Sequence, residues 1–163
     1  MLTARKLEEA MVTEQEMKQF EGIEIEKKKE SYRVTPGEME QFNTAWELQD
    51  MIGNRKKQFQ DEHNLKVYPA YDKLEELCQI SVTTMKKTIS GTQKISRNFL
   101  YKFVVGLHMS VEEANEYFAL CGGELNLKNP ADFICYRALE DGDSIFQFIE
   151  DFEHYTGLKI ALR

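Results

Sequence analysis

Apolar residues recur along this chain three and four positions apart, the spacing that puts them on one side of a helix. Ala114, Tyr117, Phe118 and Cys121 make such a stripe, and so do Ile145, Phe148, Ile149 and Phe152. Phe99, Leu100, Phe103, Val104 and Leu107 make a wider one. Phe42, Trp46, Met51, Ile52 and Phe59 supply the buried side of a longer helix, while Leu7, Met11, Met17 and Phe20 give residues 3–20 a looser stripe. No convincing strand alternation and no internal repeat interrupts this pattern. The chain is expected to be all-α.

Start and stop signals agree with the periodicity. Thr35-Pro36-Gly37-Glu38 combines an N-cap threonine, a proline at the first helical position and a capping-box glutamate. Ser81 is expected to cap a helix ending at Gly91, and Ser96 to start the next. Ser110 with Glu113 makes a further capping box, for a helix ended by Gly122-Gly123. Asn129-Pro130 begins a helix that stops at Gly142, and Ser144 with Gln147 caps one that stops before Gly157. Val67-Tyr68-Pro69 reads as a connector, followed by a helix capped through Asp72 and Glu75 that runs to about Cys78. Residues 21–34 mix an acidic and a basic cluster and read as a solvated linker.

Composition narrows the class without deciding it. With 163 residues, 42% hydrophobic and 30% charged, the chain is expected to form one domain, or one domain with an appendage. No apolar run reaches the length of a membrane span, and no basic start leads into an apolar segment, so a cytoplasmic protein is expected. Cys78, Cys121 and Cys135 each sit among apolar neighbours, without a C-x-x-C or a nearby His, and read as small buried thiols. Asp141, Asp143, Glu150 and Asp151 lack the alternation of an EF-hand loop and read as helix ends. No metal and no cofactor is expected. The chain also has no P-loop, G-x-S-x-G or H-E-x-x-H, so an enzyme is not expected.

Charge does change the picture. The chain carries net −7, yet the 35 residues between Glu76 and Glu112 hold no Asp or Glu and include Lys86, Lys87, Lys94, Arg97 and Lys102. An acidic chain that keeps one stretch free of carboxylates presents that stretch to a polyanion. Within it, Leu74 to Gly91 predicts two short helices joined at Gln79-Ile80-Ser81, a connection too tight for antiparallel packing. Leu74, Leu77, Cys78, Ile80, Met85 and Ile89 fall on the inner faces. Val82, Thr83, Lys86, Lys87 and Ser90 are left outward, groups suited to base edges and phosphates.

The order of these residues resembles the lambda-repressor-like helix–turn–helix family (Cro-like or XRE-type regulators). The residues that carry it are Ile80-Ser81, Thr83-Thr84, Gly91, Lys94-Ile95-Ser96-Arg97, Leu107 to Ser110 and Glu112 to Asn115. Leu120 to Gly123 and Leu125 through Asp132 look like the C-terminal extension of such proteins in Gram-positive bacteria. The resemblance covers about residues 38–150. It departs from the family at Glu75, where alanine is usual, at Gln79, where a left-handed glycine is usual, and at Thr88, where an apolar residue is common. It implies a helix–turn–helix DNA-binding domain at 35–123 and a two-helix extension packed on it at 124–163, while the helical appendage and linker at 1–34, read from their own pattern, lie outside it.

What the resemblance implies about function is a sequence-specific, DNA-binding transcriptional regulator. Its recognition helix would lie at about 82–90, with Val82, Thr83 and Lys87 facing the major groove, Lys86 on the adjoining side and Ser81 at the helix start. Lys94 and Arg97 match positions that hold phosphates, and the start of the Ser96 helix would help through its dipole. Double-stranded DNA and a homodimer are the implied partners, the protein being nucleoid-associated when bound. The Ser144–Thr156 helix and the 3–20 helix are the candidate dimer surfaces. The alternative is a non-catalytic adaptor or antirepressor built on the same fold, and residues 1–35 are a possible site for its protein partner.

Overall fold

Thr35 opens the first helix as its side chain predicts: its Oγ1 accepts the Glu38 backbone N–H at 3.1 Å. The computed structural model describes residues 34–160, and among them the chain forms seven helices and no strand. The 3–20 helix and nearly all of the 21–34 linker fall outside the described residues. The helices are α1 (Pro36–Glu62), α2 (Val67–Cys78), α3 (Val82–Ser90), α4 (Arg97–Gly106), α5 (Val111–Phe118), α6 (Pro130–Asp141) and α7 (Ile145–Thr156). No helix among them is long and apolar enough to cross a membrane.

The chain divides into two compact units, Met1–Glu47 and Leu48–Arg163. In the first, Phe42 lies against Trp46, ring centroids 5.6 Å apart, but Phe42 is exposed rather than buried as its spacing predicts. In the second unit the buried face of α1 is Leu48, Gln49, Ile52, Lys56 and Phe59.

The core of this second unit is built around α4, which packs on α2, α5, α6 and α7. Every residue from Phe99 to Gly106 is buried. Phe118, Phe148 and Phe152 set their rings around Tyr101 at centroid distances of 5.5–6.4 Å. Each such ring contributes roughly 150–250 Å² of buried surface, so this cluster outweighs any polar contact in holding α5 and α7 to α4. Cys78 and Cys135 are fully enclosed, and burial pushes the Cys78 thiol up to about 12. That thiol stays protonated, in keeping with a packing role.

One start signal and one stop signal fall differently from their expected places. Val67-Tyr68-Pro69 is the first turn of α2 and not a connector, with Lys66 as an N-cap that offers no side-chain hydrogen bond. Proline fits there because first-turn N–H groups have no partner within the helix. Asp72 therefore lies inside the helix. Further along the chain, α5 stops at Phe118, and turns carry the chain from there to Gly122 and Gly123.

Candidate nucleic-acid interface

The short link between α2 and α3 depends on one residue in an uncommon conformation. Gln79 takes the left-handed region, φ 54° and ψ 38°, at a cost of about 1 kcal/mol for a residue with a side chain. Its backbone N–H donates to Glu75 O at 2.8 Å, and its side-chain Nε2 donates to Glu76 O at 3.1 Å, offsetting part of that cost. Glu75, the other departure nearby, puts Oε2 2.9 Å from the Val82 backbone N–H. A carboxylate at the start of α3 satisfies an otherwise unpaired donor and interacts well with the helix dipole. Ser81 completes the cap, accepting from Thr84 N–H at 3.1 Å.

Thr88 is the third departure. It is 1% exposed, and its Oγ1 has no hydrogen-bond partner. A buried, unpaired hydroxyl is unfavourable, and valine has the same shape without it. Thr88→Val is therefore expected to raise the unfolding free energy by about 1 kcal/mol, measured as a higher urea midpoint at unchanged m-value.

At the far end of α3, Gly91 stops the helix with φ +81°, and Gln49 Nε2 of α1 donates to Ile89 O at 2.9 Å. A Cβ at Gly91 would meet the Gln49 amide at 2.7 Å. This brace was missed from the sequence because a glutamine in mid-helix carries no pattern of its own.

The solvent face of α3 is then set. Thr83, Lys86, Lys87 and Ser90 are exposed, while Ser81 and Val82 are half-buried at its start. Lys94 stands exposed on the following loop, and Ser96 caps α4 by accepting Phe99 N–H at 3.0 Å. Lys86 is not a loose cation: its Nζ lies 4.6 Å from the Tyr68 ring centroid and 5.4 Å from that of Tyr71. Lys56 Nζ sits 4.3 Å from the same Tyr71 ring. Two tyrosines three residues apart on α2 thus hold cations from α1 and α3. Tyr68 was hidden in the sequence by the assignment of Val67-Tyr68-Pro69 to a connector.

Arg97 does not join this face. Its Nε and Nη2 bind Asp132 at 3.1 and 2.8 Å, and its Nη1 donates to the carbonyls of Cys121 and Gly123 at 2.5 and 2.8 Å. Nη2 also reaches Glu124 O at 3.5 Å. A guanidinium has five N–H groups, so none is left to grip a phosphate. The sequence placed Arg97 at a phosphate because its partner, Asp132, lies 35 residues away and no local pattern announces it.

Asp132 is almost fully buried and also accepts from Tyr101 Oη and from Asn126 N–H at 2.9 Å. Burial alone would push its carboxyl up, but the hydrogen bonds from Arg97, Tyr101 and Asn126 prevail and hold it below the usual carboxylate range. Among the described residues no cluster of His, Cys, Asp and Glu could hold a metal ion. No protein family, no curated protein and no solved structure matches the chain.

Proposed function

We propose that the chain is a sequence-specific DNA-binding transcriptional regulator of the lambda-repressor-like helix–turn–helix kind, and not an enzyme. One observation carries this reading. The exposed face of α3 offers Thr83, Lys86, Lys87 and Ser90, with Lys94 beside it in sequence, and this whole stretch is free of carboxylates. In this reading α2 and α3 are the helix–turn–helix pair, α3 enters the major groove, and Thr83 and Lys87 reach base edges. Lys86, steadied by Tyr68, and Lys94 take phosphates. Ser81, Val82 and Ser96 set the helix starts, and Arg97 is released from the contact set. One short helix reads few bases, so a homodimer on two half-sites in cytoplasmic, nucleoid-bound form belongs to the same proposal.

Selection from random duplex DNA tests it, with an enriched palindrome expected. Lys86→Ala with Lys87→Ala is expected to weaken binding to the selected site at least about tenfold and to flatten its sequence preference. A dimer meeting six or more phosphates should also lose roughly a thousandfold in affinity between about 50 and 200 mM salt. Unaltered binding by the double variant would remove α3 from the interface.

A second reading, a protein-binding adaptor or antirepressor on the same fold, is favoured by the engagement of Arg97 and by the net −7 charge. Absence of any enriched DNA site would select it.

A further inference from the structure

Helix α6 turns one side to the core and leaves the other side to solvent. Asp132, Cys135 and Ala138 face inward and are buried. Pro130, Phe133, Arg137 and Glu140 recur at three- and four-residue steps on the opposite side, and all are exposed. Tyr136, half-buried, lies beside them with its ring centroid 6.5 Å from that of Phe133. Phe133 is 40% exposed, and Leu127, just before the helix, is 51% exposed. Covering these apolar groups removes them from water and favours association.

Charge along this helix is polarised. From Leu125 to Ala131 the one charged residue is Lys128, which is exposed. At the other end Glu140, Asp141 and Asp143 place three carboxylates within four residues. Burial, and then repulsion from Asp141 and Asp151, pushes the Asp143 carboxyl up. Asp141 meets Arg137 at 3.7 Å, an exposed pair of little strength. The helix dipole has the same polarity, positive at the start and negative at the end. A face whose two ends carry opposite charge is complementary to itself when turned end for end.

We propose that the outward side of α6 is a docking surface for a second copy of this chain, the two α6 helices lying antiparallel about a two-fold axis. With the axis at the level of Ile134 and Cys135, Phe133 of each copy falls opposite Tyr136 of the other. The same register brings Lys128 of each copy to Glu140 and Asp141 of the other. Aromatic contact supplies the attraction. The charge pairs fix direction and register, because parallel pairing would set like charges together. This surface shares no residue with the exposed face of α3, and the inference does not depend on the DNA-binding reading.

Sedimentation equilibrium of the full chain over the micromolar range tests it. A reversible monomer–dimer equilibrium is expected, and a chain that stays monomeric overturns the proposal. Phe133→Ser should weaken the dimer at least about tenfold, while Tyr68→Ser, exposed on α2, should leave it unchanged. Both substitutions lie on the surface, and unaltered helical circular dichroism verifies that each variant is folded. Lys128→Glu alone and Glu140→Lys alone should each weaken the dimer at least about tenfold by opposing like charges. Mixing those two variants sets each new charge against its opposite and should restore most of the affinity, as a heterodimer. A dimer that survives Phe133→Ser, or charge variants that do not recover on mixing, overturns the proposal. Dimerisation of a chain that binds no duplex upholds it and counts only against the DNA-binding reading.

Discussion

Asp132→Asn is expected to lower the unfolding free energy by about 3–5 kcal/mol, the cost of removing one partner from a buried ion pair. The substitution keeps the shape but removes the charge that Arg97 faces at 2.8 Å. It also turns one accepting oxygen into a donor opposite Arg97 or Asn126 N–H, leaving N–H groups facing each other. The Arg137–Asp141 pair provides the contrast: its side chains are 59% and 51% exposed and 3.7 Å apart. Asp141→Asn should change stability by less than about 1 kcal/mol.

The pair also predicts a pH signature. The folded Asp132 carboxyl titrates below its unfolded value, so its contribution is fully present above the unfolded value, near pH 4. It is lost as pH falls through the lower, folded value. Below about pH 4 the parent should therefore lose stability more steeply than Asp132→Asn, and the two curves should converge. Denaturant titrations between about pH 2 and 7 measure it. Parallel curves would mean that the Asp132 carboxyl titrates alike in the folded and the unfolded chain.

Much of the helical framework was legible in the sequence because helix starts are local events. Ser81, Ser96, Ser110, Asn129 and Ser144 each accept the backbone N–H three residues on, as their spacing predicts. The apolar stripes of α4 and α7 needed only their own periodicity. The start of α2 was misread because proline both ends and begins helices, and neighbours in sequence do not say which. The candidate site was legible as charge and less so as geometry. Lys86, Lys87 and Lys94 reach solvent as expected, since short-range pattern decides exposure on a helix. Whether a cation is free to act depends on what folds against it, and for Arg97 that is Asp132 and three distant carbonyls. The departures at Glu75 and Gln79 find hydrogen bonds in the folded chain, which a pattern comparison treats only as mismatches.

Gly106→Ala is expected to cost about 2 kcal/mol, although alanine is the better helix former. A Cβ at this buried position would meet Cys78 Sγ at 2.5 Å, Leu77 O at 2.6 Å and Cys78 Cα at 2.7 Å. Two of those atoms belong to the backbone of α2 and cannot rotate away, so α2 and α4 must separate. Overpacking of this kind costs about 1–3 kcal/mol, and here the upper end applies because the obstacle is a helix. Alanine returns about 1 kcal/mol through helix propensity, which leaves a net loss. Gly37→Ala isolates the propensity term, because a Cβ there meets nothing within 4 Å, and that variant should be neutral or up to about 1 kcal/mol more stable. The displacement has a direction that can be followed. Because α3 is joined to α2 through the single left-handed residue Gln79, Ile80 and Ser81, moving α2 carries α3 with it. Amide shifts in Gly106→Ala should therefore extend from Leu74 through Ser90 and spare α7. Shifts confined to the neighbours of Gly106 would mean that Cys78 Sγ alone yields, and that the α2–α4 contact does not fix the position of α3.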